Sequence, residues 1–117
     1  MLKAIQPEFK VINGVRFKTH GNYKTKSGMF SGLVIHYTVS GRTPDSAIGV
    51  VKYLAKKGYG CMTMDEDGII YIPENFDVLK SVAWHAGKSK WDNKSGLSKY
   101  YAGMEICCWG RGSDVGP

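Results

Sequence analysis

The chain has 117 residues, of which 43% are hydrophobic and 12% aromatic, the size and composition of one globular domain. No apolar run approaches the ~20 residues needed to span a bilayer, which argues against membrane insertion. The net charge of +6 suits polyanions such as an acidic cell wall, or a solvated lysine-rich surface, but with only three arginines nucleic acid is not an expected partner.

The N-terminal part of the chain is predicted to be β-structure. Residues 8–18 are expected to form a β-hairpin, because Asn13-Gly14 suits a tight turn with positive φ. A polar, glycine-containing loop follows and completes an N-terminal segment, residues 1–31, that precedes the core. Residues 33–39 are rich in β-branched and aromatic side chains with little alternation, which predicts a strand in the middle of a sheet, buried on both faces.

A helix is predicted from residue 44 to residue 57, because signals for both of its ends are present. Thr43 can cap the first turn, Pro44 suits the first helical position, and Gly58 is a natural stop. Between these ends, apolar residues recur at helical spacing and form one face: Ala47, Ile48, Val51, Leu54 and Ala55.

The second half of the chain is predicted to complete the sheet. The expected elements are two strands around a tight turn at Asp65–Gly68, a short strand at 81–84, a long polar loop at 86–100 and a last strand at 102–110. Their order predicts an α/β fold with a mixed central sheet. One helix cannot cover both faces of so apolar a sheet, so we expect 1–117 to be a single domain that lacks its C-terminal part.

The chain has three cysteines, Cys61, Cys107 and Cys108, and no C-x-x-C pair, which excludes a zinc ribbon. Neighbouring residues on a strand point to opposite faces, so Cys107 and Cys108 are not expected to serve one site together. We expect each cysteine to be reduced and buried as a small hydrophobic residue.

Three polar side chains stand out from their apolar surroundings. His36 lies near the end of a strand, just before the helix, where open α/β sheets place ligands. Glu105 lies inside the last strand, where a lone buried carboxylate is costly unless it is paired or faces a metal. His85 lies at a strand–loop junction. Their convergence would make a cation site with a carboxylate to move protons, whereas a satisfied core histidine is the alternative for His36.

Four motifs follow one another along the chain: GLVIHYTVSG, DEDGIIYIPE, AWHAGKSKW and AGMEI. In this order and spacing they resemble the zinc-dependent N-acetylmuramoyl-L-alanine amidases of the amidase-2 family, which includes phage lysozyme-type amidases and peptidoglycan recognition proteins. The resemblance extends over residues 32–110, about two thirds of the chain. It implies a mixed sheet flanked by helices, and hydrolysis of the amide between N-acetylmuramic acid and L-alanine of the stem peptide.

The resemblance also implies roles for individual residues. His36 matches the first zinc ligand, and Glu105 matches a glutamate that is proposed in part of the family to activate water. Other members use a tyrosine and a following histidine where this chain has Gly60 and Cys61, so the resemblance favours Glu105. His85 matches a histidine that lines the substrate groove and is not normally a zinc ligand. The two other zinc ligands and a lysine that assists the oxyanion are expected beyond the end of this chain.

A substrate groove is therefore expected near His36. Trp91, in the polar loop, suits stacking on a sugar or peptide, whereas Tyr37 should face away from His36 and pack in the core. The expected groove residues are His85, Trp84, Trp91 and Thr38, although Trp84 is equally consistent with core packing. Four lysines would either meet stem-peptide carboxylates or remain solvated: Lys88, Lys90, Lys94 and Lys99.

The resemblance implies a peptidoglycan hydrolase with Zn²⁺ as cofactor, of the phage or prophage endolysin type, and we expect it to be a monomer. The N-terminus has no apolar core of a secretory signal, so we expect synthesis in the host cytoplasm and action on the cell wall, or alternatively muropeptide recycling in the cytoplasm.

A zinc site rebuilt within this chain would draw on His85, His20, Glu105 or a cysteine. A non-catalytic peptidoglycan-binding module is the second hypothesis, and a structural sheet domain with a basic surface is the third.

Overall fold

The computed structural model describes residues 7–17, 25–59 and 62–109. Within them, one α-helix packs against a mixed five-stranded sheet, which confirms the predicted α/β class. None of the described helices is long and apolar enough to cross a membrane. In chain order the elements are β1 (Glu8–Arg16), β2 (Leu33–Tyr37), α1 (Pro44–Lys57), β3 (Met62–Met64), β4 (Ile69–Glu74), β5 (Lys90–Trp91), β6 (Lys94–Ser95), a 3₁₀ turn (Leu97–Lys99) and β7 (Ala102–Ile106).

The strand order of the main sheet is β1-β4-β3-β7-β2, and only the β3–β4 pair is antiparallel. In this register His36 of β2 lies beside Glu105 of β7, which lies beside Thr63 of β3. Residues paired across a ladder share a face of the sheet, so these three side chains occupy one face. Thr63 also pairs with Tyr71, which belongs to the cluster packed under α1, so this is the face that α1 partly covers.

The helix α1 begins and ends where the local signals predict. The Thr43 hydroxyl accepts a hydrogen bond from the backbone N–H of Ser46, and Gly58 ends the helix in the left-handed conformation with φ of 80°. Ala47 and Val51, on the predicted apolar face, are fully buried against the sheet. This packing fixes α1 above the sheet face that carries His36 and Glu105.

A second apolar cluster lies on the opposite face of the sheet. Its buried members are Met62, Ile70 and Ile72, and Phe76 and Val78 from the segment after β4 pack against them. The sheet therefore has an apolar surface on both sides, as the composition of its strands predicts.

The prediction that residues 33–39 form a central strand buried on both faces is wrong. In the described part of the chain, β2 is an edge strand that pairs only with β7. Leu33, Ile35 and Tyr37 are 45%, 55% and 59% exposed. An apolar run predicts contact with other apolar surfaces, but it does not say how many strands lie beside it, and this is why composition misplaced β2.

The predicted β-hairpin at residues 8–18 is also wrong. β1 is one strand, parallel to β4, with an irregular register in its second half. Gly14 has the positive φ that the hairpin turn needs but Asn13 does not, so the strand bulges instead of turning back. The backbone N–H of Gly14 donates to the carboxylate of Glu74 on β4 at 3.1 Å. Pairing with a distant strand thus replaces the local pairing.

The strands around the turn at Asp65–Gly68 are confirmed. Asp65 is buried, and its carboxylate accepts hydrogen bonds from the backbone N–H groups of Asp67 and Ile69 and from the Tyr71 hydroxyl. The predicted strand at 81–84 is wrong, because only Ser81 makes an isolated bridge there. The stretch 86–100 is not simply a loop, since it contains the β5–β6 ribbon and the 3₁₀ turn.

The last strand is confirmed, although β7 ends at Ile106, earlier than predicted. Cys107 is buried, Cys108 is half-buried, and both are free thiols. Cys61 lies outside the described residues, as do Gly60 and His20.

Candidate functional site

Two histidines that are far apart in sequence meet beside the sheet. Nε2 of His36 lies 3.1 Å from Nδ1 of His85, within hydrogen-bond distance. The two imidazole rings are nearly perpendicular, with an interplanar angle of 80°. The fold therefore joins two of the three polar residues that the sequence singles out.

The ring and backbone of His85 are both anchored. Nε2 of His85 lies 2.8 Å from the carbonyl oxygen of Tyr101, and a carbonyl can only accept, so this nitrogen donates. The backbone N–H groups of His85 and Ala86 both donate to Oγ of Ser98, which is buried. These contacts leave Nδ1 of His85 facing His36.

Burial lowers the pKa of both imidazoles below the usual value. For His36 the cause is the loss of solvent around the ring. For His85 loss of solvent is again the largest cause; the hydrogen bond to the Tyr101 carbonyl opposes it, and the charge of His36 adds to it. The lowered pKa of each imidazole favours its neutral form, in which an imidazole nitrogen binds a metal.

Glu105 lies beside His36, on the neighbouring strand, and is half-buried. Among the described residues its carboxylate has no hydrogen-bond or ion-pair partner. Burial raises the pKa of Glu105 to about 6. A carboxyl with a pKa near the working pH can both take up and release a proton, as a general acid–base group must.

Two clefts meet at Glu105. The first, of about 410 Å³, lies between the end of β2 and α1, and the second is about 250 Å³. Leu54 and Glu105 line both clefts, so a ligand that fills both passes over the carboxylate. The other lining residues include Thr38, Ser40 and Tyr53 in the first cleft and Tyr59, Trp84 and His85 in the second.

The backbone is strained where β2 runs into the first cleft. Val39 has a φ of 52°, in the left-handed region that a β-branched residue rarely adopts. On either side of it, the hydroxyls of Thr38 and Ser40 are in hydrogen-bond contact and both line the cleft. Strained backbone of this kind clusters at functional sites, which supports a site at this end of β2.

The predicted groove residues do not all gather here. Thr38 and Trp84 line the two clefts, whereas Trp91 is 67% exposed and lines a separate cleft. The prediction that Tyr37 packs in the core is wrong, because Tyr37 is more than half exposed and lines the first cleft. Its position at the sheet edge explains the difference.

The loop lysines fall into two groups. Lys88, Lys90 and Lys99 line a cleft of about 540 Å³, which shares Trp84 with the cleft beside Glu105. Lys94 instead lies 3.5 Å from the carboxylate of Asp92. The basic charge near the candidate site therefore belongs to three of the four predicted lysines.

Besides the cleft residues Ser40, Tyr53 and Tyr59, three groups beside His85 and Glu105 were not predicted. Ser98 lies in a stretch that reads as an ordinary polar loop, and its part in holding His85 depends on the 3₁₀ turn. The Tyr101 carbonyl is a backbone group and has no signal in the sequence. Thr63 carries a buried hydroxyl without a hydrogen-bond partner among the described residues, and it lies beside Glu105 on β3.

The described residues fit part of a metal site. They include no group of three His, Cys, Asp or Glu side chains placed to hold an ion. His36 by itself has the properties of a ligand, because its ring is neutral, half-buried and next to a carboxylate. Of the residues considered for a rebuilt zinc site, His85 and Glu105 are near His36, and His20 and Cys61 lie outside the described residues.

No model of a known protein family matches the chain, and neither a curated protein nor a solved structure matches it.

Proposed function

We propose that the protein is a peptidoglycan hydrolase of the N-acetylmuramoyl-L-alanine amidase type, with an amidase-2-like fold and zinc bound at His36. The observation that carries the proposal is the position of Glu105 beside His36, where two clefts join. The order of the four motifs that resemble this family is a separate line of support.

The proposed chemistry divides between the metal and the carboxylate. When bound, zinc supplies a Lewis acid that polarises the scissile carbonyl and lowers the pKa of water towards ~7. His36 would provide one ligand. Glu105 takes a proton from the attacking water and delivers it to the leaving amine of L-alanine. With a pKa of about 6, Glu105 is ionised at pH 7 and still basic enough for this transfer.

The two clefts are proposed to hold the substrate on either side of the scissile amide. Tyr53, Tyr59 and Trp84 offer flat apolar surfaces with polar edges, which suit the faces of sugar rings and peptide groups. The hydroxyls of Thr38 and Ser40 can hydrogen-bond amide groups in the first cleft. Trp91, in its own cleft, would contact a more distant part of the glycan or peptide.

The proposed substrate is part of the bacterial cell wall, so we propose that the protein acts there. A net charge of +6 favours association with an acidic wall. We assign the protein to the phage or prophage endolysins, acting as a monomer on the wall after synthesis in the host cytoplasm. Muropeptide recycling in the cytoplasm is the alternative setting for the same reaction.

The experiment uses the complete gene product that contains these residues, supplied with zinc and incubated with purified peptidoglycan. New L-alanine amino groups are counted for the wild type, for Glu105→Gln and for Glu66→Gln. Glu66 is an exposed carboxylate 3.9 Å from Nε of Arg42 and is not placed at the site, so its variant is a matched control. We expect Glu105→Gln to lower turnover by about 100-fold or more while zinc stays bound, and Glu66→Gln to leave it unchanged. Near-normal turnover of Glu105→Gln, or no amines from the wild type, would contradict the proposal.

A non-catalytic peptidoglycan-binding module is the second candidate. The aromatic lining of the clefts favours it, because stacking surfaces bind a muropeptide whether or not the amide is cut. Tight binding of muropeptide by a wild type that releases no amines would select this candidate.

A further inference from the structure

We propose that His85 is a positioning residue which holds His36 in the tautomer protonated on Nε2, so that His36 meets a metal through Nδ1. The tautomers of the two histidines do not depend on the reaction that the protein catalyses. The metal contact rests on the proposed function.

The first step is the proton on His85. Its Nε2 lies 2.8 Å from the Tyr101 carbonyl oxygen, which has no proton to give, so Nε2 of His85 carries the proton. A neutral imidazole has one N–H, and above its pKa the other nitrogen has only a lone pair. Nδ1 of His85 is therefore an acceptor, and it is the atom that faces His36.

The second step determines which nitrogen of His36 carries the proton. Nε2 of His36 lies 3.1 Å from this acceptor, and two facing lone pairs would repel each other. The contact is favourable only if Nε2 of His36 donates. Neutral His36 then has its lone pair on Nδ1, which has no hydrogen-bond partner among the described residues. The Tyr101 carbonyl thus selects, through His85, the nitrogen of His36 that can bind a metal.

The third step excludes a metal held between the two facing nitrogens. The ring centroids are 5.3 Å apart, close to the largest separation that a 3.1 Å contact between two imidazole nitrogens permits. The two nitrogens therefore lie almost on the line between the rings, as in an N–H···N hydrogen bond. Two ligands of one tetrahedral ion would instead direct their lone pairs at an angle, towards a point beside that line.

The anchoring of His85 makes it suitable for this role. Its backbone N–H and that of Ala86 donate to Oγ of Ser98 at 3.0 Å, and Ser98 is only 1% exposed. The ring is therefore held from the backbone side as well as by the Tyr101 carbonyl. A metal-ligating histidine usually donates its other ring N–H to an acceptor that fixes its orientation, and Nδ1 of His85 is that acceptor for His36.

The test is long-range ¹H–¹⁵N NMR of the histidine rings at pH 8, on the complete metal-free protein. We expect the proton on Nε2 of both His36 and His85. In His85→Leu the acceptor is lost, so His36 becomes a mixture of tautomers. In His85→Asn a side-chain oxygen can take the place of Nδ1, so the Nε2-protonated form of His36 is restored. Trp91→Ala, in a separate cleft, serves as the control and leaves both tautomers unchanged.

Zinc titration provides the second readout. We expect Zn²⁺ to shift the ¹⁵N resonance of Nδ1 of His36 and not that of Nδ1 of His85. We expect His85→Leu to weaken zinc binding about 10- to 100-fold, and His85→Asn to recover part of that loss. A proton on Nδ1 of His36 in the metal-free protein would overturn the inference, as would a zinc-induced shift of Nδ1 of His85. If the tautomers are as expected but the wild type cleaves no wall, the proposed function fails and the positioning role of His85 stands.

Discussion

The Glu105 carboxylate is half-buried and has no hydrogen-bond or ion-pair partner among the described residues. Its charged form should therefore lower the free energy of unfolding in a way that depends on pH. Its pKa rises from 4.5 to about 6 on folding, because burial disfavours the charged form. The protein's folding stability is therefore highest, as far as Glu105 is concerned, below pH 4.5, where this carboxyl is neutral in both the folded and the unfolded chain. That contribution is lost as the pH rises through 6 and the buried carboxyl becomes charged. The full shift corresponds to about 2 kcal/mol, and we expect about 1 kcal/mol because the side chain is half exposed to screening solvent.

Glu105→Gln removes this charge at nearly constant shape. In metal-free protein we expect its free energy of unfolding to exceed that of the wild type by about 1 kcal/mol at pH 8, and the gain to vanish at pH 4. Urea unfolding at the two pH values measures this, and Glu66→Gln, an exposed carboxylate, should show no comparable gain. A Glu105→Gln variant that is equally stable to the wild type at pH 8 would mean that Glu105 is not desolvated.

Single residues of the site were predictable only where they conflict with their neighbours. His36 and Glu105 are polar groups inside apolar strands, and this conflict is visible in the sequence. The contact between His36 and His85 spans 49 positions and depends on the sheet register and on the loop that carries Ser98. The sequence predicted that His36, His85 and Glu105 would converge, but the sequence near His36 alone could not show that the two histidine rings are in direct contact.

Among the elements, α1 was predictable and β1 was not. The ends of α1 are set by Thr43 and Gly58, which act within one turn, so local sequence is enough. The Asn13-Gly14 pair is an equally local indication of a hairpin, but β1 instead pairs with β4, more than fifty residues away in sequence. The ladder with β4 pairs the backbone of β1 along most of its length, although most β1 side chains stay exposed, so tertiary pairing outweighs the local turn preference.

Two glycines, one inside α1 and one at its end, give a matched test at this scale. Gly58 has a φ of 80°, which an alanine adopts only with strain, so Gly58→Ala should lower the free energy of unfolding by about 1 kcal/mol or more. Gly49 is inside the helix, and a methyl group added there would meet no other atom within 4 Å, so Gly49→Ala should raise the free energy of unfolding by about 0.5–1 kcal/mol. Thermal or urea unfolding measures the stability of both variants. Equal effects of Gly58→Ala and Gly49→Ala would contradict this description of the helix end.

At the scale of the whole molecule, the interior strand β4 and the edge strand β2 of the sheet differ in how far their side chains are covered. Ile72 on β4 is 8% exposed, whereas Ile35 on β2 is 55% exposed. Both residues lie in apolar strands, but the sequence predicted burial on both faces for residues 33–39, the segment that contains β2. The number of neighbouring strands and covering side chains, which only the complete fold determines, separates them.

This difference predicts unequal costs for the same substitution. Ile72→Ala should cost about 2–5 kcal/mol, because it leaves a cavity in a packed cluster. Ile35→Ala should cost about 1 kcal/mol or less, since half of that side chain is already in contact with water. Denaturant unfolding of the two variants compares them directly, and a cost for Ile35→Ala as large as that for Ile72→Ala would show that the β2 edge is covered.

The central claim is the identity of the bond that the protein cuts, and mass spectrometry of the products tests it most directly. Peptidoglycan digested by the complete, zinc-supplied protein should release stem peptides that begin with a free L-alanine, together with glycan strands whose lactyl groups carry no peptide. Glu105→Gln should release neither above background. Products in which the lactyl group still carries L-alanine, with cuts between sugars or within the peptide instead, would contradict the account.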